Sequence, residues 1–219
     1  LPINEESRYT LHNKKGERAF IEIEGTKVTG MIEPAPLHCP RQAFITVTES
    51  CIYDCGFCGI AKKSGIRKSP DKIKSLIEES LDTLDAISLT SGVLTDPEEE
   101  EEYILDIVDM LIEYKLPIGV SILPVDGTSE RLAAHGVVEV KYNLETATDE
   151  LFKKLYPGLD RDVIFRELER SVDLFGINRV YSNIIVGLGE TDEDIKIIRE
   201  RLASSGIIPI LRPLSPAGT

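Results

Sequence analysis

Gln42-Ala-Phe-Ile-Thr-Val-Thr-Glu-Ser-Cys51-Ile-Tyr-Asp-Cys55-Gly-Phe-Cys58 opens on a β-branched run and closes on three cysteines. Ala43 to Thr48 has strand character, and the cysteines fall on the loop that leaves it. Further along, short β-branched runs alternate with helical patterns. The pattern predicts strands at Ala86 to Thr90, Ile118 to Leu123, Val138 to Asn143, Arg179 to Val186 and Ile207 to Arg212. Such alternation is the signature of βα units and a parallel sheet. The helices carry start signals: Ser69-Pro70 and Asp96-Pro97 put a capping residue before a first-turn proline, and Thr191 precedes Asp194 by three. Ile104, Ile107, Val108, Leu111 and Ile112 form one apolar helical stripe. Ile164, Leu168, Val172 and Phe175 form another, closed by Gly176. These are core faces. The acidic run Glu98 to Glu102 is read as a solvated first turn whose carboxylates meet the positive end of the helix dipole.

Upstream, Ala19 to Glu33 predicts a β-hairpin: Phe20 to Glu24 alternates, Gly25-Thr26 turns and Val28 to Ile32 returns. Glu33-Pro34-Ala35-Pro36 interrupts regular structure, because prolines remove backbone donors and restrict their predecessors. The domain expectation is therefore an N-terminal extension over 1–40 and a catalytic core over 41–219. The absence of an initial Met, and a last strand with no covering helix, lead us to expect a missing C-terminal segment.

Composition bounds the function. The chain has 219 residues, 42% of them apolar, enough for one sizeable core. A net charge of -13 and the lack of any basic stripe argue against a nucleic-acid substrate. No apolar stretch reaches membrane-spanning length and no signal sequence opens the chain, so a cytoplasmic protein is expected. A single Gln, Gln42, among abundant Ile, Glu and Lys is a thermophile-like balance.

Four cysteines in such a chain read first as metal ligands or catalytic thiols. Three thiolates close together can cap three irons of a cubane and leave the fourth iron open. At the carboxyl end of a parallel sheet, an open iron sits where βα folds bind small molecules, which favours catalysis. The alternatives are a structural zinc site or a buried disulfide. Zinc usually takes paired knuckles, whereas here only Cys39 or the distant His38 could supply a fourth ligand.

Cys51-x3-Cys55-x2-Cys58, with Phe57 before the last cysteine, resembles the motif of the radical S-adenosylmethionine (radical SAM) superfamily. The resemblance implies a partial, TIM-like (βα)6 barrel of the α/β class, preceded here by the β-hairpin extension. It implies a 4Fe-4S cluster on Cys51, Cys55 and Cys58 and S-adenosylmethionine chelated by the open iron. It also implies an electron donor such as ferredoxin or flavodoxin. One electron then cleaves the cofactor to methionine and a 5'-deoxyadenosyl radical, which takes hydrogen from an unactivated C-H bond.

Within the superfamily, Ile185-Val-Gly-Leu-Gly-Glu-Thr191 is similar to the fifth-strand run of biotin synthase and its relatives, and Asn143-Leu-Glu-Thr146 to their N-L-D-T stretch. The resemblance places Asn143 and Glu145 on the cofactor ribose and Ile185 against the cofactor. A carboxylate can accept from both ribose hydroxyls. Arg161 and Arg166 match an R-x4-R spacing, with Arg166 on the cofactor carboxylate. Ser91-Gly92 replaces a G-G-E-like turn that contacts the methionine amine. Biotin synthase carries a second cluster on inner-strand cysteines, and this chain has Ser88, Ser121 and Tyr181 there, so an ordinary biotin synthase is not expected. The leading expectation is sulfur insertion, lipoyl-synthase-like, on a lipoyl-domain or small-molecule substrate. Cys39 or a partner protein would then complete an auxiliary cluster. The alternative is one-cluster rearrangement or C-C chemistry, like methylornithine synthase and hydrogenase maturases. From another class, a non-catalytic iron-sulfur or zinc protein stays in view. Tyr142, Asn183 and Arg212 are read as inner residues for substrate contact; no catalytic residue is assigned.

Overall fold

The computed structural model describes residues 11–12, 19–23, 26–30, 41–60, 65–156 and 158–215. The chain divides into two compact units, Leu1–Pro40 and Arg41–Thr219. The first holds an antiparallel sheet of β1 (Leu11–His12), β2 (Ala19–Ile23) and β3 (Thr26–Gly30). The expected hairpin is β2–β3, in register from Ala19 opposite Gly30 to Ile23 opposite Thr26. The proline pair and Cys39 lie outside the described residues.

The second unit is a six-stranded parallel sheet in strict chain order. Its strands are β4 (Gln42–Thr46), β5 (Ala86–Thr90), β6 (Ile118–Ser121), β7 (Glu139–Lys141), β8 (Val180–Val186) and β9 (Ile208–Pro213). All six predicted strands are present, within three residues of their predicted ends. The helices are α1 (Pro70–Glu78), α2 (Pro97–Leu111), α3 (Thr128–Ala134), α4 (Asp149–Leu155), α5 (Arg161–Phe175) and α6 (Asp192–Ser204). Sequential order with a helix in each crossover is the open (βα)6 barrel. Ser69 accepts from Lys72 N, Asp96 from Glu98 N and Glu99 N, and Thr191 and Asp194 form a reciprocal capping box. Among the described residues, no helix is long and apolar enough to cross a membrane.

The strand period of two sorts the side chains. Ile45, Val47, Ile87, Leu89, Ile118, Val120, Val140, Leu144, Val180 and Ile184 are buried with Ile104, Ile107, Val108, Ile164 and Leu168 of the helices. Their neighbours Thr46, Thr90, Ser121, Asn143 and Glu145 face the barrel interior, where they line one cavity.

Two expectations are corrected here. Tyr142 faces the helices, fully buried, with its hydroxyl 3.4 Å from Ser129 Oγ. With Asn143 pointing inward, alternation sends Tyr142 outward, and it cannot contact substrate. The acidic run is not a uniformly solvated face: Glu100 and Glu101 are each only 2% exposed. Thr48 and Ser91 hydroxyls donate to Glu100 Oε1 (2.6 Å each), and Arg67 Nη2 and Leu94 N donate to Oε2 (2.6 and 3.3 Å). Glu101 accepts from Thr128 Oγ1 and pairs with Arg131. Both carboxylates sit on the inner side of α2 and find the donors that make their burial affordable.

Candidate functional site

The loop leaving β4 is folded by its own backbone and by the turn after β5. Ile52 N donates to Val93 O (2.8 Å), Cys58 N to Cys55 O (3.0 Å) and Gly56 N to Leu155 O (3.0 Å). Two amides aim at sulfur: Val93 N at Cys51 Sγ and Ile60 N at Cys58 Sγ, both 3.5 Å. Gly92 is required by contact. Its N donates to Thr48 O (2.9 Å), and a Cβ there would stand 2.2 Å from Ser50 O. Ser91 is tied down by its side chain, donating to Glu100 and accepting from Thr48 N (3.0 Å). Glu100 therefore clamps the strand end that carries the cysteines to the Ser91-Gly92 turn. The sequence reading missed this residue; its one local signal was a glutamate shortly after that turn.

All three thiols are free, half-buried and on the wall of a cavity of about 220 Å3. Phe57, Ser91, Gly92, Asn143, Glu145 and Tyr156 share that wall. Past Tyr53, Leu123, Pro124 and Leu159, residues common to both, it adjoins a wider groove of about 540 Å3 lined also by Glu98, Glu102 and Asp160. Burial, then the neighbouring Cys51 and Cys58, pushes the Cys55 thiol up to about 12. The thiols thus sense one another, yet among the described residues no three His, Cys, Asp or Glu side chains are grouped to hold one metal ion. A cubane needs no such convergence, since each thiolate takes its own iron. Tyr156 adds an unsatisfied group: it is buried, packs on Phe57 at 5.2 Å between ring centroids, and its hydroxyl has no hydrogen-bond partner. A buried donor left open on a cavity wall fits a polar occupant.

The residues from 45 to 202 match the family model of the radical SAM superfamily. The chain belongs to that superfamily. Membership implies a 4Fe-4S cluster and S-adenosylmethionine, and the separated thiols and the open Tyr156 hydroxyl fit such occupants. Among curated relatives, lipoyl synthase from Caldicellulosiruptor saccharolyticus is 26% identical over 187 residues, covering 80% of this chain and 64% of that protein. Among solved structures, methylornithine synthase superposes with a TM-score of 0.69 at 20% identity, over 81% of this chain and 56% of that one. SuiB from Streptococcus suis, bound to S-adenosylmethionine, gives 0.66 at 18% identity, over 82% and 42%. The chain spans less than two thirds of the length of each of these proteins.

Against this radical SAM frame, the structure brings Phe57, Ser91, Gly92, Asn143 and Glu145 together with the three cysteines. Ile185 is not on the cavity wall; its N donates to Glu145 O (2.7 Å), which makes it the backbone support of Glu145. Arg166 is not there either. Its side chain is 55% exposed and Nη2 donates to Asp126 Oδ1 (3.0 Å), a residue of the adjoining groove. Arg161 also stays outside the cavity. It donates to Thr146 O (3.1 Å) and Ala147 O (3.3 Å) and lies 5.0 Å over the Phe165 ring, which fixes the loop after Glu145.

Glu145 holds a left-handed backbone, φ 57°, uncommon for a residue with a Cβ. Asn143 Oδ1 accepts from Asn183 N (3.2 Å), which leaves the Asn143 amide group to donate toward Glu145. Burial pushes the Glu145 carboxyl up to about 7, opposed by Lys141, Asn143 and Arg212. Between its ordinary 4.5 and about 7 the folded chain keeps a proton that the unfolded chain has released, so stability falls as pH rises through that window. The expected loss is about 3 kcal/mol. Urea unfolding of the metal-free chain at pH 5 and pH 8 should show that slope in the wild type and lose it in Glu145→Gln.

Proposed function

We propose that this chain is the catalytic core of a radical SAM enzyme that inserts sulfur at an unactivated carbon. Cys51, Cys55 and Cys58 hold the cluster, Asn143 and Glu145 take the ribose, and the Gly92 turn borders the methionine end. When bound, the cluster and its cofactor supply a 5'-deoxyadenosyl radical that abstracts hydrogen. The residues present supply position. Backbone amides face Cys51 and Cys58 sulfur, Phe57 and Tyr156 close one side against water, and Glu100 holds two loops in register. The observation that carries the enzyme reading is that the cysteines on one strand-end loop and the polar pair Asn143 and Glu145 on another line the same cavity. A non-catalytic iron-sulfur protein has no use for that pair. A reductant is required, of the ferredoxin or flavodoxin kind.

Sulfur insertion rests on the lipoyl synthase relatives and on Cys39 as a ligand to an auxiliary cluster, completed by a partner protein. One observation favours the second reading, a one-cluster rearrangement. Ser88 accepts from Gln42 Nε2 (2.5 Å), Tyr181 donates to Asn178 O (3.0 Å), and Ser121 lines the cavity, so no thiol stands at these inner positions. Anaerobic reconstitution with iron and sulfide counting tests the choice. About eight irons per chain, falling to about four in Cys39→Ala, supports sulfur insertion with both clusters in one chain; about four in both means that a partner supplies the sulfur or that the reaction is a rearrangement. An intact cluster that cleaves no S-adenosylmethionine under dithionite sinks the enzyme reading altogether.

A further inference from the structure

The end of α4 is locked against the cysteine loop. Leu155 O accepts from Gly56 N (3.0 Å), and a Cβ on Gly56 would stand 2.9 Å from Leu155 Cδ2, so the helix end touches the segment between Cys55 and Cys58. Tyr156 follows directly. Its ring stacks on Phe152 at 4.7 Å and is tilted against Phe57 at 5.2 Å between centroids, which holds the side chain between helix and loop. It is 6% exposed and shares the cavity wall with all three cysteines. Neither flanking ring offers an oxygen or nitrogen acceptor, and the Tyr156 hydroxyl has no hydrogen-bond partner among the described residues. Buried phenols ordinarily find one. The three sulfurs on the wall are not equally served. Val93 N is aimed at Cys51 Sγ and Ile60 N at Cys58 Sγ, whereas among the described residues no donor reaches Cys55 Sγ. Glu145, the carboxylate on the same wall, already takes the Asn143 amide. One donor therefore lacks an acceptor, and one sulfur lacks a donor, at the same helix–loop contact. Burial first, and then Glu145, Cys55 and Cys58, raises the pKa of the Tyr156 hydroxyl, which keeps it a protonated donor.

We propose that Tyr156 is the hydrogen-bond donor to Cys55 sulfur when the cysteines hold the cluster, and that this bond makes the cluster easier to reduce. The inference deepens the proposed function and rests on it for the cluster at Cys51, Cys55 and Cys58. A thiol is a weak acceptor and a thiolate a strong one, so the bond belongs to the iron-loaded chain. A donor on a ligand sulfur withdraws charge from it and favours the state that carries one more electron. Tyr156 is thus a positioning and tuning residue, acting through Cys55.

The test compares the full wild-type chain with Tyr156→Phe, which keeps the ring and removes only the hydroxyl. Both are reconstituted anaerobically and taken through a redox titration followed by electron paramagnetic resonance. Calorimetry with S-adenosylmethionine on the oxidised cluster and melting of the metal-free chains complete the set. Tyr156→Phe is expected to hold as much iron as the wild type and to be about tenfold harder to reduce, a fall of about 59 mV for a one-electron couple. Its affinity for S-adenosylmethionine should be unchanged. The metal-free variant should melt no lower than the metal-free wild type, because the hydroxyl has no partner to lose. An unchanged potential overturns the inference. So does a metal-free variant that melts several degrees lower, since the hydroxyl then has its partner inside the apoprotein. Weaker binding of S-adenosylmethionine at an unchanged potential gives the donor to the cofactor and overturns the assignment to Cys55. A wild-type chain that takes up no iron defeats the proposed function and the inference together. A loaded chain that shows the shift but cleaves no S-adenosylmethionine defeats the proposed function and leaves the role of Tyr156 standing.

Discussion

Cys55→Ala is expected to leave a folded chain that retains no cubane and cleaves S-adenosylmethionine at the rate of buffer alone, a loss on the order of 10^3-fold or more. The asymmetry between fold and function follows from where the thiol sits. Cys55 is half-buried on a cavity wall and packs against the edge of the core, so its replacement removes one sulfur atom and costs about 1 kcal/mol of stability. It gains everything from metal. Without iron, burial and two neighbouring thiols keep it protonated, and three thiolates facing one cavity are tolerable only around a cationic centre. Cys51→Ala and Cys58→Ala should match it. The check is iron and sulfide per chain, the electron paramagnetic resonance signal after reduction, and far-ultraviolet circular dichroism for the fold. A Cys55→Ala chain with full iron content would show that the cluster, if any, is held elsewhere.

Glu100→Ala should be the most damaging single change to stability outside the apolar core. It would strip four donors of one acceptor in a nearly dry site: the Thr48 and Ser91 hydroxyls, Leu94 N and the Arg67 guanidinium, itself only 17% exposed. Arg67 keeps its exposed partner Glu99 at 3.3 Å, but the two hydroxyls and the Leu94 amide lose their acceptor, and leaving several buried donors unsatisfied costs about 3–5 kcal/mol. For a domain of this size that is a fall in melting temperature of roughly 6–20 °C. Glu100→Gln keeps the shape and one carbonyl acceptor, so it should lose less. The consequence reaches function because Thr48 ends the strand that leads to Cys51, and Ser91 precedes the glycine packed on Ser50. Glu100→Gln should therefore weaken the binding of S-adenosylmethionine and broaden the reduced-cluster signal, even at a temperature where it is fully folded. If Glu100→Ala melts with the wild type, the carboxylate is not the clamp its hydrogen bonds describe.

Much of this architecture was legible along the chain. Short β-branched runs between helical patterns located the six strands, Ser69-Pro70, Asp96-Pro97 and Thr191 marked helix starts, and the spacing of Cys51, Cys55 and Cys58 placed a cubane-binding loop after the first of them. These signals work because each concerns bonds made within a few residues: a cap and its first turn, a strand's two faces, a loop closing on itself. Of the predicted cofactor contacts, those on the same strand-end loops as the signal were brought to the cavity. Arg166 and Ile185 were not, because helix orientation and ladder pairing decide where they point.

Parity and burial were settled only in three dimensions. Whether Tyr142 or Asn143 faces the barrel depends on which of them the rim presents to the cavity, and one step of register exchanges them. Five consecutive glutamates look alike in sequence, yet Glu100 and Glu101 are drawn inside because Arg67, Thr48, Ser91, Thr128 and Arg131 arrive from distant segments with donors to spare. The sequence by itself determined the order of the elements and the cluster loop, since local hydrogen bonding and side-chain periodicity suffice for both. Which charges are buried, and which donors reach them, was decided in three dimensions, because electrostatic compensation depends on distances between residues that the chain keeps far apart.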